Sequence, residues 1–227
     1  MTADRSVATS EDALRLRPAH ALLGLLLACT GGSDSAALPA PVSVMPLGDS
    51  LTSGYRVPGG YRPLVYDGLV DHGWSIDFVG SLSGPSDMID PDHQGHNTYL
   101  INELLPVTAE KVPFYDPDIV LLLIGTNDIV SQEALDEAPA RLGELLELLT
   151  DREVLVGTLP PVLNAPAEAN IQAYNASLIT EVEAAGHAVV DLHAAMTDEM
   201  LLDAIHPNEE GYAAMADAWL AALTDVP

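Results

Sequence analysis

The chain has 227 residues, 48% of them hydrophobic, and carries 34 acidic against 8 basic side chains for a net charge of −26. It is long enough to bury one substantial core, so a single domain is expected. The acidic excess excludes nucleic-acid or anionic-lipid binding through a basic patch, because phosphate recognition needs clustered Lys and Arg that this chain lacks.

From the N-terminus, Arg15 and Arg17 precede an apolar run, Ala19 to Ala28, which is followed by small and polar residues. That layout reads as an export signal over residues 1–28. At about ten residues the run is too short to cross roughly 30 Å of hydrocarbon, so no transmembrane helix is implied. Cys29 is the only cysteine, which excludes an intramolecular disulfide. Its place directly after Leu26-Leu27-Ala28 resembles the lipobox of bacterial lipoproteins, where such a cysteine is lipidated. A plain cleaved signal peptide, or an early start codon that adds the acidic stretch Asp4 to Asp12, are the competing readings. The expectation is an exported protein anchored to the membrane through Cys29, or otherwise periplasmic or extracellular. Residues 29–41, rich in Ser, Ala and Pro, read as a flexible tether, and residues 42–227 as the folded domain. Asp4, Glu11 and Asp12 balance Arg5, Arg15 and Arg17, so the chain after the export signal carries the whole acidic excess.

Within the domain, short β-branched runs alternate with longer amphipathic ones, the pattern of strand-helix-strand units in a parallel sheet. Strands are predicted over Val42 to Leu47, Ser75 to Gly80, Ile119 to Ile124, Val154 to Thr158 and Ala188 to Asp191. The run Ile119 to Ile124 is apolar throughout, as a central strand covered on both faces requires. Helices are predicted over Tyr61 to His72, Tyr99 to Val112, Ser131 to Thr150, Ala167 to Gly186 and Pro207 to Leu223, with Gly73 and Gly186 as stops and Pro207 in a first turn. The fold class is therefore α/β, a three-layer α/β/α sandwich of about five parallel strands in a doubly wound, flavodoxin-like order. Ligands in such folds bind beyond the carboxyl ends of the strands.

Three segments with chemistry fall at strand or helix ends. The first strand runs into Gly48-Asp49-Ser50, the third into Gly125-Thr126-Asn127-Asp128, and Asp203-Ala204-Ile205-His206-Pro207 precedes the last helix. Serine needs a base to take its proton, and the base needs a third group to orient it. Three residues apart on a tight turn, Asp203 can hold one imidazole nitrogen of His206 while the other faces Ser50. The Asn127 amide can donate to a developing oxyanion. Each segment alone is common: Gly-Asp-Ser occurs in ordinary turns, Asn-Asp caps many helices, and Asp-x-x-His is usually a surface pair. Together and in this order they are specific.

These three segments resemble the conserved blocks of the SGNH/GDSL hydrolase superfamily. The resemblance implies Ser50 as nucleophile, His206 as base, Asp203 as the acid that orients it, and Asn127 with the Ser50 amide as oxyanion donors. Asp49, Asp128 and Arg62 would support the site from behind. Within the superfamily, Gly59-Gly60-Tyr61-Arg62 and His93-Gln94-Gly95-His96-Asn97-Thr98-Tyr99 are similar to carbohydrate esterase family three. There Gln94 stands for a usual glutamate, Asn97 for a serine, Thr98 for a glycine and Tyr99 for a tryptophan. The third oxyanion amide is assigned to Gly95, with Thr98 as its substitute.

Arg56 is a candidate substrate contact, and Arg62 is expected to order loops by pairing with Asp49 or another carboxylate. His93 and His96 have a spacing that metal ligands can use, but without Cys or a helical Glu motif no metal is expected. No cofactor is expected either. Trp74 and Trp219 fall in apolar stretches and are assigned to the core. The resemblance implies a serine carboxylic ester hydrolase acting on acetyl groups of polysaccharide or other small acyl esters. The rivals are a lipase-like or thioesterase enzyme of the same fold, and a surface lipoprotein that binds glycans without turnover.

Overall fold

The computed structural model describes residues 40–131 and 135–224. The export signal, Cys29 and almost all of the tether lie outside the described residues.

The chain opens with β1 (Val42–Gly48), a one-turn helix α1 (Ser50–Ser53), α2 (Arg62–Asp71) and β2 (Ile76–Phe78). A short hairpin of β3 (Leu82–Ser83) and β4 (Asp92–Gly95) leads to α3 (Ile101–Tyr115) and the central strand β5 (Ile119–Leu123). Then come α4 (Thr126–Ser131), α5 (Ala138–Glu147), β6 (Glu153–Gly157), α6 (Ala165–Ala184), β7 (Ala188–Val190), α7 (Leu192–Ala195) and α8 (Glu209–Thr224). Strands β2, β1, β5, β6 and β7 are all mutually parallel, with β1 pairing β5 along its length from Val44 opposite Ile119 to Gly48 opposite Leu123. Helices α2, α7 and α8 pack together as one layer, and α3, α4, α5 and α6 as another. The five expected strands and the three-layer α/β arrangement are thus present.

Every residue of β5 is buried, as its continuous apolar run requires of a strand with helices on both faces. The two expected stops, Gly73 and Gly186, take φ values of +85° and +80°, the left-handed conformation that ends helices at little cost to glycine. Trp219 is fully buried with its ring 5.9 Å from that of Tyr61, and Trp74 packs partly buried against the core, so both are packing residues.

Four local expectations are corrected. The hairpin β3–β4 has no counterpart in the sequence reading, because strands this short give no period-2 signal. It adds to the sheet at the carboxyl end of β1, where Leu47 pairs with Gln94 and Gly48 with Gly95. The stretch read as one helix from Ser131 to Thr150 begins earlier as α4 and restarts as α5, with Pro139 in the first turn, where proline fits a helix start but not a helix interior. Helix α3 continues past Val112 through Pro113 and ends only at Asp116, whose φ is +49°. Helix α8 begins two residues after Pro207: Asn208 caps it through the bond from the Gly211 amide to its Oδ1 at 3.0 Å. Pro207 instead closes a bridge with Leu201.

Candidate active site

At the end of β1 the chain must turn sharply beside β5. A Cβ on Gly48 would lie 2.0 Å from the Leu123 carbonyl oxygen, so only glycine fits there. Asp49 follows as the cap of α1, accepting from the Leu51 amide at 2.9 Å. That bond fixes the first turn and holds Ser50 at its head, only 7% exposed.

Asp49 itself is fully buried. Burial, opposed by the Leu51 amide and reinforced by the charge of Asp128, pushes its carboxyl up to about 7. The folded protein thus holds this proton more tightly than the unfolded chain. Its contribution to stability is fully present below about pH 4 and is lost as pH rises through about 7. The Asp49→Asn variant is therefore expected to show a flatter thermal-stability profile between pH 4 and 7 than the parent. Parallel profiles would place the buried proton elsewhere.

The histidine reaches Ser50 from a different part of the chain. The Leu201–Pro207 bridge and the Leu202 amide bond to the His206 carbonyl at 2.8 Å fold residues 201–207 into a tight hairpin. Inside it, Asp203 Oδ1 accepts from the amides of Ile205 at 2.9 Å and His206 at 2.8 Å. Both Asp203 oxygens lie 3.1 Å from His206 Nδ1, and His206 Nε2 lies 3.1 Å from Ser50 Oγ. Partial burial pulls the Asp203 carboxyl up, but the two amides and the imidazole outweigh it and hold it down at about 2. An ionised Asp203 accepts the proton on Nδ1, which leaves Nε2 bare to accept from the Ser50 hydroxyl. The expected trio is thus brought together.

Asn127 lies in the first turn of α4, which follows β5. Its amide nitrogen donates to the Tyr99 carbonyl at 3.0 Å and makes a long 3.5 Å contact with Asp49 Oδ2. Asp128 joins two helices: its Oδ2 accepts from the Ile101 amide at 3.0 Å, tying α3 to the start of α4, and Arg141 lies 3.8 Å from its Oδ1. Burial raises its carboxyl, with the Ile101 amide and Arg141 opposing.

The assignment of the third oxyanion amide to Gly95 is corrected by the geometry. The Gly95 amide donates to His93 Nδ1 at 3.0 Å, and a Cβ there would lie 2.6 Å from the Ser53 nitrogen. Gly95 is therefore a packing glycine that seats β4 against α1. Thr98 takes a φ of +67°, the conformation that a glycine at this position would adopt freely. Its amide has no hydrogen-bond acceptor among the described residues, and it lines one cavity of about 300 Å³ together with Asn127. A β-branched residue in that region costs about 1–2 kcal/mol. Thr98→Gly is expected to raise stability by about 1 kcal/mol after the entropy of the added glycine, measured by urea denaturation, with the backbone amide still in place.

Arg62 is completely buried yet pairs with no carboxylate among the described residues, contrary to expectation. Its guanidinium donates to four carbonyls instead: Thr52 at 3.1 Å, Ser53 at 3.2 Å, Gly84 at 2.7 Å and Pro91 at 3.0 Å. The planar fork thereby clamps α1 to the β3–β4 hairpin. Arg56, unlike Arg62, meets a carboxylate: Nη1 lies 3.5 Å from Asp203 Oδ2, and its guanidinium stands 5.5 Å from the centre of the Tyr55 ring. Tyr55, which no sequence pattern singles out, packs against His206 at 4.7 Å between ring centres.

Residues 47–214 match the GDSL-like Lipase/Acylhydrolase family. A multidomain esterase of Ruminococcus flavefaciens is 32% identical over 216 residues, covering 79% of this chain, although the chain spans only 28% of that relative's length. Among solved structures, a family 3 carbohydrate esterase of Clostridium thermocellum superposes with a TM-score of 0.71 at 30% identity, covering 81% of this chain and 99% of that one. A carbohydrate esterase family 3 protein of Talaromyces cellulolyticus gives 0.72 at 28% identity, covering 82% and 97% respectively. With the match spanning most of the sequence and the folds agreeing, the chain belongs to the GDSL-like lipase/acylhydrolase family.

Proposed function

We propose that this protein is a metal-independent serine ester hydrolase that removes acetyl groups from polysaccharide or other small acyl esters. The observation that carries the reading is the unbroken relay from Asp203 through His206 to Ser50 Oγ, with both links at 3.1 Å. Ser50 Oγ attacks the ester carbonyl while its proton passes to His206 Nε2. The negative charge on the carbonyl oxygen is met by the amides of Ser50 and Thr98 and by Asn127, whose 3.5 Å contact to Asp49 is long enough to give way. Collapse expels the alcohol, which leaves with the proton from His206. Water then enters, loses a proton to His206 and releases the carboxylic acid, restoring Ser50.

Acetyl esters of carbohydrate are favoured by the likeness to the family 3 carbohydrate esterases of Clostridium thermocellum and Talaromyces cellulolyticus. The test is turnover across a series of p-nitrophenyl esters of rising acyl length. A maximum at acetate supports the reading, whereas rates that rise to octanoate would indicate a lipase-like enzyme. The export signal and the lipid on Cys29 belong to the same proposal, and a membrane-fraction protein with an unmodified Cys29 by mass would remove the anchor.

A further inference from the structure

A second cavity, about 470 Å³, lies between the end of α1 and the β3–β4 hairpin, and is lined in part by Ser53, Tyr55, His96, Asn97 and Tyr99. Tyr55 also covers His206. The alcohol leaves beside His206, since that residue protonates it, and the cavity that Tyr55 also lines can take the outer part of a large alcohol. Two rings form one side of it: His96 and Tyr99 stack at 4.5 Å with only 19° between their planes.

The protonation of His96 follows from its neighbours. The Ser81 amide can only donate, and it donates to Gln94 Oε1 at 2.6 Å, joined by the Ser81 hydroxyl at 3.0 Å. That fixes the orientation of the Gln94 carboxamide, so its nitrogen faces His96 Nε2 at 3.0 Å. An amide nitrogen cannot accept, hence His96 Nε2 must be the acceptor and the ring proton sits on Nδ1. Burial of the ring also disfavours its charged form. His96 Nδ1 has no partner among the described residues and is not an orphaned buried atom, so it remains available to a ligand in the cavity. A glutamate in place of Gln94 would demand a donor from Nε2 and undo this arrangement.

We propose that the His96–Tyr99 stack, held in a single tautomer by Gln94, is the binding subsite for a neutral polyhydroxylated alcohol, one sugar unit of an acetylated oligosaccharide, with His96 Nδ1–H donating to a sugar oxygen. The proposal rests on the esterase reading above. A flat stacked face suits the apolar face of a sugar ring, one fixed donor suits a hydroxyl or ring oxygen, and the acidic surface of the chain disfavours an anionic ligand.

The test compares acetylated xylotriose with p-nitrophenyl acetate in the parent and in His96→Phe, which keeps a ring to stack but has no N–H. The ratio of kcat/KM for the sugar ester to that for p-nitrophenyl acetate is expected to fall about tenfold, with the change carried by KM of the sugar ester. An equal fall for both substrates would overturn the subsite, as would a change confined to kcat. In the unaltered protein, ¹⁵N NMR should find the His96 proton on Nδ1 and a shift of that resonance on adding xylotriose. A proton on Nε2, or no shift at millimolar xylotriose, would also overturn it. Failure of the parent to hydrolyse p-nitrophenyl acetate would instead defeat the esterase reading, which keeps the two distinguishable.

Discussion

Ser50→Ala is expected to lower kcat for p-nitrophenyl acetate by about 10⁶-fold, to the residual rate that oxyanion donors and binding alone sustain. The size follows from the arrangement at the head of α1. Removing Oγ deletes the attacking atom, and His206 Nε2, 3.1 Å away, then has no hydroxyl to activate. The fold is expected to survive, because the bond that shapes the turn runs from the Leu51 amide to Asp49 and does not involve the serine side chain. Near-parental turnover in a variant that melts like the parent would remove Ser50 from the chemistry. His206→Ala should fall by a similar factor, and the double variant little further, because groups that act as one relay are not additive.

Arg62→Leu is expected to have the largest effect on stability, a loss of about 4 kcal/mol in urea denaturation. Leucine fills part of the volume but leaves the carbonyls of Thr52, Ser53, Gly84 and Pro91 without their donor in a largely buried space. Because two of those carbonyls belong to the nucleophile turn and two to the hairpin loop, turnover should fall together with stability. Arg62→Lys should recover only part of the loss: an ammonium is a point donor and cannot span four carbonyls as the planar fork does. A loss below about 1 kcal/mol would mean that the carbonyls find water or that the clamp is dispensable.

The five main strands and most helices were legible because each has a strong apolar period or an unbroken buried run, as in Ile119 to Leu123. What escaped was short. Strands β3 and β4 span two and four residues, too few to show alternation, yet they position His93, Gln94 and Gly95. Pro139 marked the restart of α5 in the sequence, but the apolar pattern on either side of it masked the break. At the site, Ser50, Asn127, Asp203 and His206 were legible through their order and their places at element ends. The third oxyanion amide stayed open between Gly95 and Thr98, because the left-handed backbone that distinguishes Thr98 is not visible in its residue type. Arg62 could be read as a loop-ordering residue, but its partners are backbone carbonyls, and carbonyls leave no trace in a sequence. The same holds for the Gln94 carboxamide, whose orientation is set by the Ser81 amide just before β3.

The proposed mechanism makes Ser50 the nucleophile and His206 the base that activates it. It is tested most directly by treating the protein with a fluorophosphonate ester and locating the adduct by mass spectrometry. One equivalent is expected on the peptide that carries Ser50, with esterase activity lost in step with labelling and labelling slowed at least about a hundredfold in His206→Ala. Ester hydrolysis that persists in fully labelled protein, or an adduct on a residue other than Ser50, would contradict it.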